Sequence, residues 1–196
     1  MQMNVHIAGR VLAACLFASL PALAVGQGAD NKPAKPAIGS AQPPAQIYGK
    51  LLTGMEKEFV DLAEAMPEDK YSFVPAQGEF AKVRSFGDQV KHVAESNWYF
   101  FGGPNITEDQ LKVKSDAIEK LTSKADILQA LKDSFKQAHA LVDGTTADNA
   151  FTTTAHGTRA GMTSFGLAHM MDHYGQLVVY LRMNGMVPPA SRGGNM

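Results

Sequence analysis

The chain has 196 residues, 45% of them hydrophobic, enough for one domain with its own core. Its 18 Lys and Arg balance 19 Asp and Glu. With no basic surplus, nucleic acid is set aside as a partner, and with no acidic run, so is a solvating tail.

Residues 1–24 read as a cleaved export signal. Arg10 supplies positive charge, Val11 to Leu20 is apolar, Pro21 breaks the run, and Ala22-Leu23-Ala24 fits the small-x-small cleavage rule. The apolar run is too short to span a bilayer comfortably. Leu12-Ala13-Ala14-Cys15 looks like a lipobox, but the apolar stretch before Cys15 is too short and the one after it continues, which argues against a lipid anchor there. Cleavage after Ala24 removes His6 and Cys15, the only cysteine, and leaves no disulfide, thiol nucleophile or thiolate ligand. The expected product is an exported protein, periplasmic or secreted, with no transmembrane span.

Residues 25–46 carry Pro33, Pro36, Pro43 and Pro44 among Ala, Gly and Gln, and read as a tether that cannot bury a core. From Ile47 the pattern turns helical. Leu51, Met55, Phe59, Leu62 and Met66 form one apolar stripe that Pro67 ends. Residues 70–84, with Pro75 and Gly78, are a long connection. Ser85, with Asp88 three residues on, predicts the start of a second helix that runs to Gly102-Gly103-Pro104. Residues 107–122 predict a weaker, short and external helix. Ser123 and Asp126 repeat the capping pattern and open a long helix with Leu128, Leu131, Phe135, Ala138 and Val142 on one side, stopped by Gly144. A threonine-rich loop follows to Gly157, and the last helix runs from about Thr158 to Asn184, capped by Gly185 ahead of Pro188-Pro189. No strand-length alternation occurs. Long amphipathic helices must bury one another's stripes, so the expected fold is all-α, a four-helix bundle over residues 47–191.

The chemistry concentrates in His169-Met170-Met171-Asp172-His173-Tyr174-Gly175-Gln176. Histidines at i and i+4 project to one side of a helix and can clamp one ion, since imidazole nitrogens reach a shared point about 2 Å from each. At about 100° per residue, Met162, Phe165, Gln176 and Tyr180 share their side, which places the pair on the buried stripe. The alternative is two hydrogen-bonded core histidines. On the second helix His92 lies in a polar strip of Ser85, Gln89, Ser96 and Tyr99; alone, such a strip usually faces water, but in a bundle it can face the pair. Asp172 can orient a ligand histidine or accept a proton, and Gln176 can hydrogen-bond a ligand or substrate. Tyr180 reads as core, its hydroxyl finding a partner. His139 and His156 read as surface residues, with His156 on the loop that leads to the ligand helix. The run Trp98-Tyr99-Phe100-Phe101 reads as core. Haem-attachment, di-iron, nucleophile-elbow and phosphate-loop signatures are all missing.

Five stretches now stand together: Met66 to Phe73 with Pro75; Arg84-Ser85-Phe86-Gly87; His92-Val93-Ala94 with Asn97; His169 to Gln176 with Tyr180-Leu181-Arg182; and Asn184 to Pro189. In this order the chain resembles the DinB-like (YfiT-like) helical-bundle family of metalloenzymes. The resemblance implies an up-down-down-up bundle with one metal on three histidines, matched here by His92, His169 and His173. It implies thiol-dependent transfers or isomerisations, although many members have no assigned reaction, and the thiol-using relatives are cytosolic whereas this chain carries an export signal.

The expected function is a mononuclear metal-dependent enzyme, a hydrolase or transferase of small molecules, with Asp172 and Gln176 positioning the reacting group. Nitrogen ligation suits divalent Zn, Ni, Fe or Mn without choosing among them. A non-catalytic metal-binding or partner-binding bundle, stress-related, is the alternative. A homodimer is left open, because related bundles often pair.

Overall fold

The structure, a computed structural model, describes residues 35–193. The expected export signal with Cys15, and the first part of the expected tether, lie outside the described residues. Two compact units are distinguished, Met1–Ser40 and Ala41–Met196. Of the first, residues 35–40 are described and hold a turn in which Ser40 Oγ donates to the Ala37 carbonyl at 2.7 Å. The described residues of the second form five α-helices: α1 (Pro44–Ala65), α2 (Phe86–Phe101), α3 (Glu108–Glu119), α4 (Lys124–Asp143) and α5 (Arg159–Met183). Among the described residues the only extended pairing is an isolated bridge between Thr153 and Thr158. The fold is all-α.

Capping residues set most of the starts. The side-chain oxygens of Ser85, Thr107, Ser123 and Thr158 accept the backbone N–H of Asp88, Gln110, Asp126 and Gly161, each satisfying one of the first-turn donors that a helix leaves unpaired. At α3 the Gln110 side chain returns the bond to the Thr107 N–H, which completes a capping box. α1 begins at Pro44, three residues ahead of the expected Ile47, because proline is pre-set for the first helical turn and lacks the N–H that would go unpaired there. α5 ends where expected. Gly185 takes φ +73, its N–H reaches the Arg182 carbonyl and that of Met186 reaches Leu181, the paired closure a left-handed glycine allows.

α1 packs on α4 and α5, α2 packs on α4 and α5, and α3 lies against α2. Between them Leu52, Phe59, Leu62, Phe86, Phe101, Leu131, Phe135, Met170, Leu177 and Leu181 are all fully enclosed. α3 buries only Ile118, consistent with its predicted external place. Two polar links tie the layers. Asn97 Nδ2 donates to Ser134 Oγ at 3.0 Å across α2 and α4. Lys124 Nζ donates to the Glu64 and Met66 carbonyls at 2.7 and 2.6 Å, closing the end of α1 from the first residue of α4.

The apolar stripes run as expected through Met55, Phe59, Leu62 and Met66 along α1 and its C-cap and through Leu131, Phe135, Ala138 and Val142 on α4, all buried, and they depart from expectation at their first members and on α5. Leu51 is 54% exposed and Leu52 is fully enclosed. On α4 Ile127 is buried and Leu128 only half-buried. On α5 Phe165 is 63% exposed, while Thr163, Gly166 and Met170 face the interior. A helical wheel identifies residues that share a side; the neighbouring helices decide which part of a broad apolar side is covered. No helix among the described residues is long and apolar enough to cross a membrane.

Candidate metal centre

His92, His169 and His173 come together where α2 faces α5. His169 Nε2 stands 3.2 Å from His92 Nε2 and 3.2 Å from His173 Nε2. Their ligating nitrogens all lie within 4.8 Å of one another. The ring centroids are 4.5 to 5.1 Å apart and the planes steeply inclined, so the rings meet nitrogen to nitrogen rather than stacked. His173 is buried and the other two half-buried. Phe100 packs beside His169 with centroids 5.3 Å apart.

The protonation chemistry of this trio is constrained. Burial, followed by the Arg84 charge, lowers His92 to about 4. Burial, followed by the His169 charge, lowers His173 to about 4. Burial also lowers His169, against the pull of Asp172. All three rings are therefore neutral at pH 7. An sp² ring nitrogen then presents either one hydrogen or one lone pair. His169 Nε2 has two nitrogen neighbours at hydrogen-bond distance and can satisfy only one of them. A divalent ion at the shared point satisfies all three. Nitrogens about 2 Å from a tetrahedral ion stand about 3.4 Å apart, close to the two short separations seen here. The donor set fits the ion, and His92, His169 and His173 are the residues that can hold it.

Behind the trio runs a chain of side-chain amides. Gln89 Oε1 lies 2.5 Å from His173 Nδ1. Gln89 Nε2 donates to Gln176 Oε1 at 2.8 Å, and Gln176 Nε2 donates to Asp172 Oδ2 at 3.0 Å. Gln176 thus meets two protein partners, and both Asp172 and Gln176 lie on the exposed side of α5. Gln89 is only 3% exposed, so at this point the polar strip takes the bundle-facing alternative instead of the water-facing one. Gln89 faces α5, where His173 and Gln176 supply the partners that make its burial tolerable. Its spacing of three from His92, with apolar residues on both flanks, was the available signal.

His92 also lines a cleft of about 330 Å³ with Arg84, Lys91, Glu95 and Glu119. Lys91 is held by Asp88 at 2.9 Å and by the Glu119 carbonyl at 3.1 Å. Glu95, one turn past His92, was missed by the sequence reading because a lone glutamate on a helix carries no signal. One of its carboxyl oxygens is enclosed without a hydrogen-bond partner. Burial first, then the neighbouring Glu119, lifts its carboxyl to about 7. Unfolded glutamates titrate at about 4.3. Between those values the folded chain binds more protons than the unfolded one, so this group makes stability fall as pH rises through the window. Glu95→Gln is expected to gain on the wild type from pH 4 upward and to level off above pH 7, by about 1 kcal/mol for a carboxyl that is half in solvent. Urea melts of both proteins at pH 4 and pH 8 check this, and an unchanged gap contradicts it.

The remaining expectations divide. Tyr180 is buried and its hydroxyl donates to the Arg84 carbonyl at 3.1 Å. Phe100 and Phe101 are core, while Tyr99 is 41% exposed. His139 is half-buried, its Nε2 2.7 Å from Glu56 Oε2 on α1, away from the trio. His156 is also half-buried rather than at the surface, with its ring 4.9 Å from Tyr99. It is not part of the histidine group.

Comparison with known proteins agrees with this picture. A family model described as the DinB superfamily matches residues 51–177. No curated protein matches the sequence significantly. A solved structure, the colibactin self-resistance protein ClbS in complex with double-stranded DNA, is similar at TM-score 0.54 and 15% identity, over 73% of this chain and 98% of that one. At that identity the likeness concerns the fold. It corrects the exclusion of nucleic acid drawn from charge balance, because this fold occurs in a protein crystallised with duplex DNA. Net charge is a sum over the whole chain, whereas phosphates are met by local groups, and an even sum excludes no local patch.

Proposed function

This chain belongs to the DinB superfamily, and on that premise we propose that it is a mononuclear metal-dependent enzyme acting on a small molecule in the cleft beside His92. The observation that carries this reading is the convergence of three neutral imidazole nitrogens on one point, with His169 Nε2 facing two others at 3.2 Å. The scaffold proposed for it is the up-down-down-up bundle of α1, α2, α4 and α5, with α3 in a connection. Export of the mature domain is part of the same proposal, supported by the signal-like leader.

A divalent ion, Zn, Ni, Fe or Mn, held by His92, His169 and His173 would keep its full charge and act as a Lewis acid. The chain's own residues do the rest. The trio supplies three nitrogens, and among the described residues no fourth metal-binding side chain joins the group, which favours an open, substrate-accepting site over a closed structural one. Arg84 and Lys91 bring positive charge to the cleft. Glu95, with its carboxyl lifted to about 7, is the group there able to hold or release a proton near neutral pH.

The test is a titration of the metal-free protein with Co²⁺, followed by its visible absorption and by elemental analysis. The expected result is saturation at one equivalent, with the spectrum of a four- or five-coordinate, nitrogen-ligated ion. Absence of saturable binding sinks the proposal and leaves the non-catalytic, partner-binding alternative.

A further inference from the structure

The amide chain behind His173 has a direction, and its direction has a consequence. A carboxylate can only accept hydrogen bonds. Asp172 Oδ2 therefore turns the amide nitrogen of Gln176 toward itself, at 3.0 Å. That leaves Gln176 Oε1 to accept from Gln89 Nε2, at 2.8 Å. Gln89 then has only its oxygen left for His173, and it points that oxygen at Nδ1. Nδ1 must carry the hydrogen. In a neutral imidazole the other nitrogen is then bare, and the Nε2 lone pair faces the shared point.

We propose that Gln89, backed by Gln176 and Asp172, is a positioning relay that locks His173 in its Nδ1–H tautomer and aims its Nε2 lone pair at the shared point of the trio. The inference rests on the metal reading above for its purpose, though not for its geometry. Gln89 is the central member: it is 3% exposed, it bridges α2 to α5, and both ends of its amide are used. Asp172 and Gln176 lie on the exposed side of α5, where water competes for their bonds, so their grip is weaker. The relay also gives Asp172 a different part from that of a proton acceptor. It acts on the ligand through two amides, with its Oδ2 engaged by Gln176. His169 offers a built-in contrast: its Nδ1 is enclosed and has no hydrogen-bond partner, so no side chain behind the ring holds it as Gln89 holds His173.

The experiment has two arms. ¹⁵N NMR of the metal-free protein reads the His173 tautomer directly, without a metal and without activity. The expected wild-type signal is Nδ1 protonated and Nε2 bare; an Nε2–H tautomer overturns the relay. In Gln89→Leu the fixed tautomer is expected to give way to a mixture, and Co²⁺ affinity to fall about 10- to 100-fold, the usual cost of losing an outer partner. Gln89→Glu keeps an acceptor for Nδ1–H and is expected to restore both readouts, which guards against a merely misfolded leucine variant. Asp172→Asn is expected to cost less than Gln89→Leu; a larger loss there overturns the order of the relay. A wild type with the stated tautomer that binds no Co²⁺ removes the metal reading and leaves the relay standing.

Discussion

His173→Ala is expected to take the protein from one tightly bound divalent ion to none that survives gel filtration. His173 is the best-held member of the trio, 8% exposed and fixed at Nδ1 by Gln89. Its removal leaves two nitrogens, one each on α2 and α5. The affinity loss should exceed the roughly 10- to 100-fold that attends loss of an outer partner. Stability should follow by mass action: at a hundred times Kd a bound ion stabilises the folded state by about 2.7 kcal/mol, and the variant forgoes that increment. The measurement is elemental analysis with thermal melts in the presence and absence of chelator. The variant should melt at one temperature in both, the wild type at two. His139→Ala is the control, because its ring pairs with Glu56 and should leave metal content unchanged. Stoichiometric metal in His173→Ala would remove this residue from the site.

The second large effect concerns the packing that brings the trio together. A Cβ at Gly166 would lie 2.7 and 2.8 Å from the Phe101 ring and 2.9 Å from Phe100 Cβ, closer than such atoms approach. Phe101 is fully enclosed and cannot swing away. Gly166→Val is therefore expected to force α5 from α2 and to destabilise by about 1–3 kcal/mol, despite the better helix propensity of valine. Gly166 stands three residues before His169 on the same helix, so the displacement also lifts His169 from His92. Metal affinity should fall with stability. Leu62→Ala, on α1, supplies the comparison: a cavity there is expected to cost about 2–5 kcal/mol while leaving Co²⁺ affinity intact. Denaturant melts with Co²⁺ titrations separate the two. If Gly166→Val keeps wild-type stability and affinity, the close approach of α2 and α5 does not set the site.

Much of this molecule is written locally. Ser85 with Asp88, Ser123 with Asp126 and Thr158 start their helices through hydrogen bonds made within a single turn. Gly185 stops the last helix because only a residue without a Cβ enters the left-handed conformation freely. The pair His169 and His173 follows from helical period alone. The first turns of the stripes were harder to read. Leu51 and Leu52 are both leucine, and only the position of α4 and α5 against α1 selects the second for burial. Glu95 shows the same limit: its carboxyl is raised by enclosure and by Glu119 on α3, neither of which is visible along the chain.

The order of residues by itself determined five helices, their caps, and the presence of two imidazoles on one side of α5, because these depend on interactions spanning at most a turn. The tertiary structure decided that His92 joins them, that Gln89 is enclosed with its oxygen on His173 Nδ1, and that Gln176 and Asp172 stand behind it. The contacts between α2 and α5 bridge 77 to 87 positions of chain, and no local pattern carries the mutual placement of two helices.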